Sequence, residues 1–184
     1  MQQDSRGWAQ FDTAIGGCAI GWGAQGIMAV QLPEADAQAT QARLFKTTGP
    51  LALAEPPAAV ASAISAVQAM LAGQAQDASE VLLDMQGVTQ FQRQVYALAR
   101  RIPWGQTRTY GELAAELGNK NLSRAVGQAL GLNPFAPLVP CHRILAAGRK
   151  PGGFSAYGGA ATKMRMLAAE GALLGDTPSL LGPD

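Results

Sequence analysis

The stretch Thr109 to Leu130, TYGELAAELGNKNLSRAVGQAL, decides how the second half of this chain is built. It reads as a short helix from Tyr110 to Leu117, a turn at Gly118-Asn119-Lys120-Asn121, and a second helix from Leu122 to Leu130. Leu122, Ala125, Val126, Ala129 and Leu130 recur at helical spacing and give the second helix an apolar face. Two short helices joined by so tight a turn have the form of a helix-turn-helix, in which the second helix is offered to DNA. By itself the pair does not separate a DNA reader from two packed helices.

Upstream, Thr89 is placed to cap a helix that runs to Arg101, with Phe91, Val95 and Leu98 on one face. Ile102-Pro103-Trp104-Gly105 ends it. The first half has a different texture. Residues 8–32 break into short apolar runs split by Gly-Gly and Gly-Ala-Gln-Gly, the pattern of two or three antiparallel strands with tight turns. Residues 33–55 give no element beyond a Gly49-Pro50 stop. Pro56 and Pro57 open a helix to about Ala72, faced by Val60, Ile64, Val67 and Leu71 and ended by Gly73. VLLDM, residues 81–85, reads as a strand. A boundary near Gly87 then divides an α+β chain into residues 1–86, a small antiparallel sheet with helices, and residues 87–184, mainly helical.

Downstream of the helix pair, Asn133-Pro134 and Pro137 force an extended, turning segment into Pro140-Cys141. A Gly-rich loop spans residues 148–159, and Thr162 is placed to cap a last helix to Gly171. The tail DTPSLLGPD is expected to be mobile.

A hydrophobic content of 48% and a charged content of 15% in 184 residues suit a globular protein with a real core. The N-terminus lacks a basic stretch followed by an apolar core, and no apolar run reaches the roughly 18 residues of a membrane span. Two cysteines and one histidine are too few for a four-ligand Cys/His zinc site, so no metal or other cofactor is expected. Two distant free thiols suit a reducing cytoplasm. Charge is uneven. Residues 1–88 carry three basic and eight acidic side chains, net −5, and residues 89–184 carry eleven and five, net +6. A basic half on a nearly neutral chain points toward an anionic partner such as nucleic acid, although solvated surface charge accounts for it equally well.

The chemistry gathers in LVPCHRIL, residues 138–145, where Cys141 and the chain's single histidine, His142, are neighbours. A thiolate is the reactive form, and a free thiol of pKa near 8.5 is little ionised at neutral pH. His142 is the imidazole at hand to take its proton, directly or across a water. A histidine used as a base needs a carboxylate to fix its tautomer. Glu112, Glu116, Glu170 and two tail aspartates are available in this half, and Glu170 sits on the helix best placed to return to the loop. The alternative is a buried cysteine beside a packed histidine with no chemistry at all.

Five segments in order, IPWGQTRTYGELA (102–114), SRAVGQAL (123–130), NPFAPLVPCHRIL (133–145), GGFSAYGG (152–159) and TKMRMLAAEG (162–171), resemble the O6-alkylguanine-DNA alkyltransferases. The resemblance runs from about Gly87 to Gly171, is loose before that, and has PCHR[VI] as its hallmark. It implies a ribonuclease-H-like N-terminal domain and a C-terminal domain with a winged or helix-turn-helix DNA-binding motif. It implies duplex DNA bound from the minor groove, an alkylated guanine rotated into a pocket, and in-line transfer of the alkyl group to Cys141, once per molecule, with O4-alkylthymine a possible further substrate. Under the resemblance His142 is the base and Glu170 its orienting carboxylate. Asn133 braces the turn, and Tyr110 donates to the guanine ring. Arg124 fills the hole left by the extruded base, with Ser123, Thr109 and Ala125 at the DNA. Leu130, Ile144, Phe154, Ser155 and Tyr157 line the pocket, backbone groups near Ile144 and Ser155 reading the guanine edges. The implied partner is double-stranded DNA carrying alkylguanine, bound by a monomer that needs no protein partner.

This chain also departs from the family. Gly131-Leu132 stands where many members carry a basic residue and glycine, which would remove a phosphate contact. Tyr157 replaces a smaller residue and is expected to narrow the pocket toward methyl groups. Rival readings are a lesion-binding protein that recruits other repair factors without transfer, a cysteine hydrolase, and a plain helix-turn-helix regulator.

Overall fold

Two-residue turns fold the first strands back on each other. β1 (Gly7–Thr13) and β2 (Gly16–Gly23) pair antiparallel, as do β2 and β3 (Gly26–Gln31), so β2 lies in the middle. This computed structural model describes residues 6–172, and the C-terminal segment expected to be mobile lies outside them. Residues 18 to 22 of β2 are all buried, because both faces of the sheet are covered. Cys18, Ile20 and Trp22 point to one face with Val60, Ala63 and Val67 of α2 (Ala58–Leu71), and Ala19 points to the other with Leu44 of α1 (Ala37–Thr48). The alternation is the period of two that a pleated strand imposes.

Helix α1 falls in the stretch that gave no element from sequence. Asp36 caps it, accepting from Ala39 N at 2.7 Å, and its buried residues are Thr40, Leu44 and Thr48. Two of those three are threonines, so hydrophobicity did not reveal the helix. The expected strand at 81–85 reduces to one parallel bridge between Leu83 and Ile27. Its neighbouring carbonyls are taken by arginines of α3 (Gln90–Arg100): Arg100 holds those of Ala78, Ser79 and Val81, and Arg93 those of Met85 and Val88. Gly26 allows this close edge contact. It has φ +123°, and a Cβ there would lie 2.5 Å from Leu82 O.

Helices α3, α4 (Tyr110–Glu116) and α5 (Ser123–Gly131) share a second core around Val95, Tyr96, Leu113, Val126 and Phe135. Thr89 and Thr109 each close a capping box, with Gln92 and Glu112 as the reciprocal partners. Tyr96 Oη donates to Ala129 O at 2.8 Å and ties α3 to α5. The two cores touch where Leu138 and Met166 join the first of them, and Val30 N donates to Pro134 O at 2.9 Å.

Gly159, in the Gly158-Gly159 turn, is the cap of helix α6 (Ala160–Ala169), three residues before the expected one. Thr162 is therefore inside the helix, and its hydroxyl donates to Tyr157 O at 2.6 Å. Strands β4 (Arg108–Thr109) and β5 (Ile144–Leu145) form a parallel pair. That pair sets the first residue of α4, Tyr110, beside the segment that leaves Cys141. Among the described residues no helix is long and apolar enough to cross a membrane.

Candidate functional site

Pro140 and β5 fix a 3-10 turn of three residues, Cys141–Arg143, and all three are buried. Cys141 N donates to Val139 O at 2.8 Å and Arg143 N to Pro140 O at 2.9 Å, so the turn holds its shape without help from the side chains. The turn sends Cys141 forward and His142 and Arg143 backward.

Behind the cysteine, His142 Nε2 lies 2.6 Å from Glu170 Oε1. Arg143 Nε reaches both oxygens of Glu170 at 3.1 and 2.9 Å, Nη2 reaches Oε1 at 3.0 Å, and Nη1 donates to Ile102 O at 2.7 Å. The guanidinium also stands 5.5 Å from the Trp104 ring centroid, and Gly105 N donates weakly to Glu170 Oε2 at 3.4 Å. Burial works against the charge of Glu170, yet the bonds from His142 and Arg143 outweigh it and hold the carboxyl below its usual range. Burial pushes His142 down, more than Glu170 pulls it up, with Arg143 and Lys163 adding to the fall. The imidazole is therefore neutral near pH 7. A neutral ring facing a carboxylate carries its proton on Nε2, so the basic lone pair is on Nδ1. Nδ1 is buried and has no hydrogen-bond partner among the described residues.

In front, Cys141 lies on the floor of a cleft of about 820 Å³ between α4, α5 and the Gly-rich loop. Thr109, Tyr110, Ser123, Arg124, Leu130, Phe154 and Ser155 line it, all of them expected from the sequence. Cys141 also borders a smaller groove of about 200 Å³ that Asn133 shares. Burial pushes the Cys141 thiol up. Against it work the Asn133 side chain, the Lys163 ammonium and the backbone N–H groups of Cys141 and His142. Asn133 is itself fixed, Nδ2 donating to Val139 O and Oδ1 accepting from Phe135 N, each at 2.9 Å. Burial and the Cys141 charge both push Tyr110 up, so its phenol keeps its proton. Gly152, at φ +69°, lets the loop pass close to Tyr110, since a Cβ would stand 3.3 Å from Oη.

Ser123 Oγ donates to Lys120 O at 2.8 Å, and Thr109 Oγ1 accepts from Glu112 N at 3.1 Å, so both hydroxyls at the cleft rim are engaged in local structure. Ala125 is half-buried on α5 and does not line the cleft. Ile144, near which backbone groups are expected to read the guanine edges, is wholly buried, and its carbonyl accepts from Lys163 Nζ at 2.6 Å. Tyr157, expected to narrow the pocket, is 57% exposed and lines neither cleft nor groove, because the Gly158-Gly159 turn follows it directly and carries it outward.

Two residues given no role from sequence belong to the site, Arg143 and Lys163. A signal existed for the second. Lys163, Met166, Leu167 and Glu170 follow the i, i+3, i+4, i+7 spacing of one helix face, so burial of the apolar pair implied burial of the charged pair.

The family model described as 6-O-methylguanine DNA methyltransferase, DNA binding domain, matches residues 90–172. A methylated-DNA–protein-cysteine methyltransferase from Mycolicibacterium paratuberculosis is 41% identical over 116 residues, which are 63% of this chain and 68% of that protein. The one from Mycobacterium tuberculosis is 40% identical over 111 residues, 60% of this chain and 64% of that protein. The crystal structure of Mycobacterium tuberculosis OGT in complex with DNA superposes with a TM-score of 0.70 at 30% identity, over 89% of this chain and 92% of that one. An O6-methylguanine-DNA methyltransferase from Pyrococcus kodakaraensis has the same fold, with a TM-score of 0.68 at 24% identity over 91% of this chain and all of that one.

Proposed function

The chain belongs to the methylated-DNA–protein-cysteine methyltransferase family, and from that premise we propose that it repairs alkylated DNA by moving the alkyl group from guanine O6 to Cys141. The observation that carries this reading is the position of Cys141, at the floor of a cleft large enough for a nucleobase and backed by a neutral histidine whose basic nitrogen is unengaged.

The geometry supports one course of reaction. A guanine stacked in duplex DNA hides the alkyl carbon, so the base swings out into the cleft at a cost of a few kcal/mol. Arg124, exposed at the rim on α5, occupies the gap and meets the orphaned base. Nδ1 of His142 takes the thiol proton, directly or across one water, and Glu170 stabilises the imidazolium that forms. The sulfur lone pair forms the S–C bond as the C–O6 bond breaks, and that bond's electrons pass to the guanine. The Tyr110 phenol donates a hydrogen bond to the ring as it gains charge. The proton lost by the thiol ends on guanine, and the products are a thioether and the restored base. No group in the site hydrolyses a thioether, so each molecule acts once. Residues 87–172 form the reacting unit and residues 6–86 its support. The protein acts as a monomer in the reducing cytoplasm, where both thiols stay free.

The test is incubation with a duplex oligonucleotide containing O6-methylguanine, followed by peptide mass measurement. The Cys141 peptide should gain one methyl group per chain and the Cys18 peptide none. Tight binding of the lesion with no mass gain would instead favour a recognition protein that recruits other repair factors.

A further inference from the structure

Lys163 is completely buried on α6. Its ammonium donates to Ile144 O at 2.6 Å, reaches Gly153 O at 3.5 Å, and stands 5.8 Å from the Tyr110 ring centroid. A buried ammonium ordinarily has an acidic partner. Among the described residues this one has none. The carboxylate on its own helix, Glu170, lies two turns away and is engaged by His142 and Arg143. Ile144, whose carbonyl it meets, directly follows the Cys141–Arg143 turn, and Tyr110 lines the same cleft as Cys141, so the titratable groups grouped around Lys163 are Cys141, His142 and Tyr110. His142 is neutral and Tyr110 is protonated, which leaves one group able to carry a negative charge.

We propose that Lys163 is a positioning residue for the alkyl transfer, supplying the buried positive charge that balances the Cys141 thiolate. The inference rests on the transfer reading of the site. It alters the division of labour there. The Glu170 carboxylate is already matched by Arg143, so the His142 side of the cysteine offers a base but little net charge. Lys163 stands apart from that network and its charge is uncommitted. Burial brings its pKa down to about 8, with the Cys141 charge pulling it back up, so the ammonium forms at neutral pH and is strengthened when the sulfur ionises. The arrangement also separates the two states of the sulfur. The thiolate satisfies Lys163, whereas the thioether formed by transfer leaves it with backbone carbonyls alone.

The test compares wild type with Lys163→Met, which keeps the length of the side chain and removes the charge. The first readout is the pH midpoint of Cys141 alkylation by iodoacetamide without DNA, followed on the Cys141 peptide. The midpoint should rise by about one unit or more in the variant, a roughly tenfold loss of thiolate at a fixed pH below it. The second is the single-turnover rate on O6-methylguanine duplex, which should fall about tenfold near neutral pH and recover as pH rises. The third is thermal stability, which should be equal to or above wild type, because removal of an unmatched buried charge relieves the fold. An unshifted Cys141 midpoint in a folded variant overturns the proposal. A second measurement needs no variant. In wild type, NMR titration of the lysine side chains should show one lysine whose midpoint drops after Cys141 is alkylated, and no such drop also overturns it. A wild type that fails to transfer methyl groups but shows the Lys163-dependent midpoint would sink the repair reading and, with it, the role in transfer, leaving only the charge balance between Lys163 and Cys141.

Discussion

The two cysteines of this chain are both free and both buried, and they differ in almost everything else. Cys18 sits in the central strand β2, fully enclosed by the apolar core, and its sulfur meets Thr13 Oγ1 at 3.8 Å. Burial pushes its thiol up to about 12. Cys141 is nearly as enclosed, but it opens on a cleft and has an amide, an ammonium and two backbone N–H groups turned toward it. Burial alone makes a thiol inert, as at Cys18. At Cys141 the donors offset part of what burial imposes, although the thiol is still pushed up.

The contrast is broken most completely by Cys141→Ala. Transfer should vanish while DNA binding persists, measured by methyl transfer and by electrophoretic mobility shift, and loss of both would mean that the residue is structural. Next is Glu170→Ala, which strands Arg143 and unfixes His142. Uncoupling a buried pair of this kind costs about 3–5 kcal/mol, so denaturant melts should show a large fall in stability together with slow transfer. Arg124→Ala, at the cleft rim, should slow transfer on duplex DNA with little change on single strands, where no gap needs filling. Equal rates on both would remove it from extrusion.

Smaller effects come from protons. His142 is held neutral in the fold, so the unfolded chain binds an extra proton below its ordinary 6.5, and stability should fall as pH drops past that value. Glu170, depressed in the fold, adds stability that is complete above its ordinary 4.5 and is lost as pH falls through its lower native value. Lys163 acts in the opposite range. Its native value of about 8 lies below 10.5, so the unfolded chain binds more protons between the two, and stability rises with pH there. That rise should appear in the difference between wild type and Lys163→Met melts, since burial of Cys18 and Tyr96 gives both proteins an opposing trend. Least affected should be Cys18→Ala, with transfer unchanged and stability lowered by about 1 kcal/mol for a small buried side chain.

The elements legible in the sequence were those whose buried face is aliphatic or whose ends are marked by capping residues. Helix α2 shows in Val60, Val67 and Leu71, and α3 and α4 begin at Thr89 and Thr109 as capping chemistry requires. Helix α1 was hidden because threonines fill most of its buried stripe, and VLLDM misled because only Leu82 and Asp84 bond the backbone of Ile27, while the carbonyls of Val81 and Met85 go to arginine side chains from α3. In the site, the Cys141-His142 pair could be read from residue types, and Glu170 stood out among five carboxylates by its place on the last helix. The direction of each side chain could not.

The order of residues alone fixed which groups this protein can use: one imidazole, one cysteine after a proline, a basic second half and a pair of short helices with a tight turn between them. Tertiary structure decided how they act. Nothing in adjacency says that Cys141 faces a cleft while His142 faces Glu170, that Arg143 matches the charge of Glu170, or that Lys163 bonds the Ile144 carbonyl with no acidic partner among the described residues. Those outcomes depend on distances between residues some 20 to 30 positions apart in the chain. Coulomb and hydrogen-bond energies fall with distance in space, and only the packed fold sets that distance.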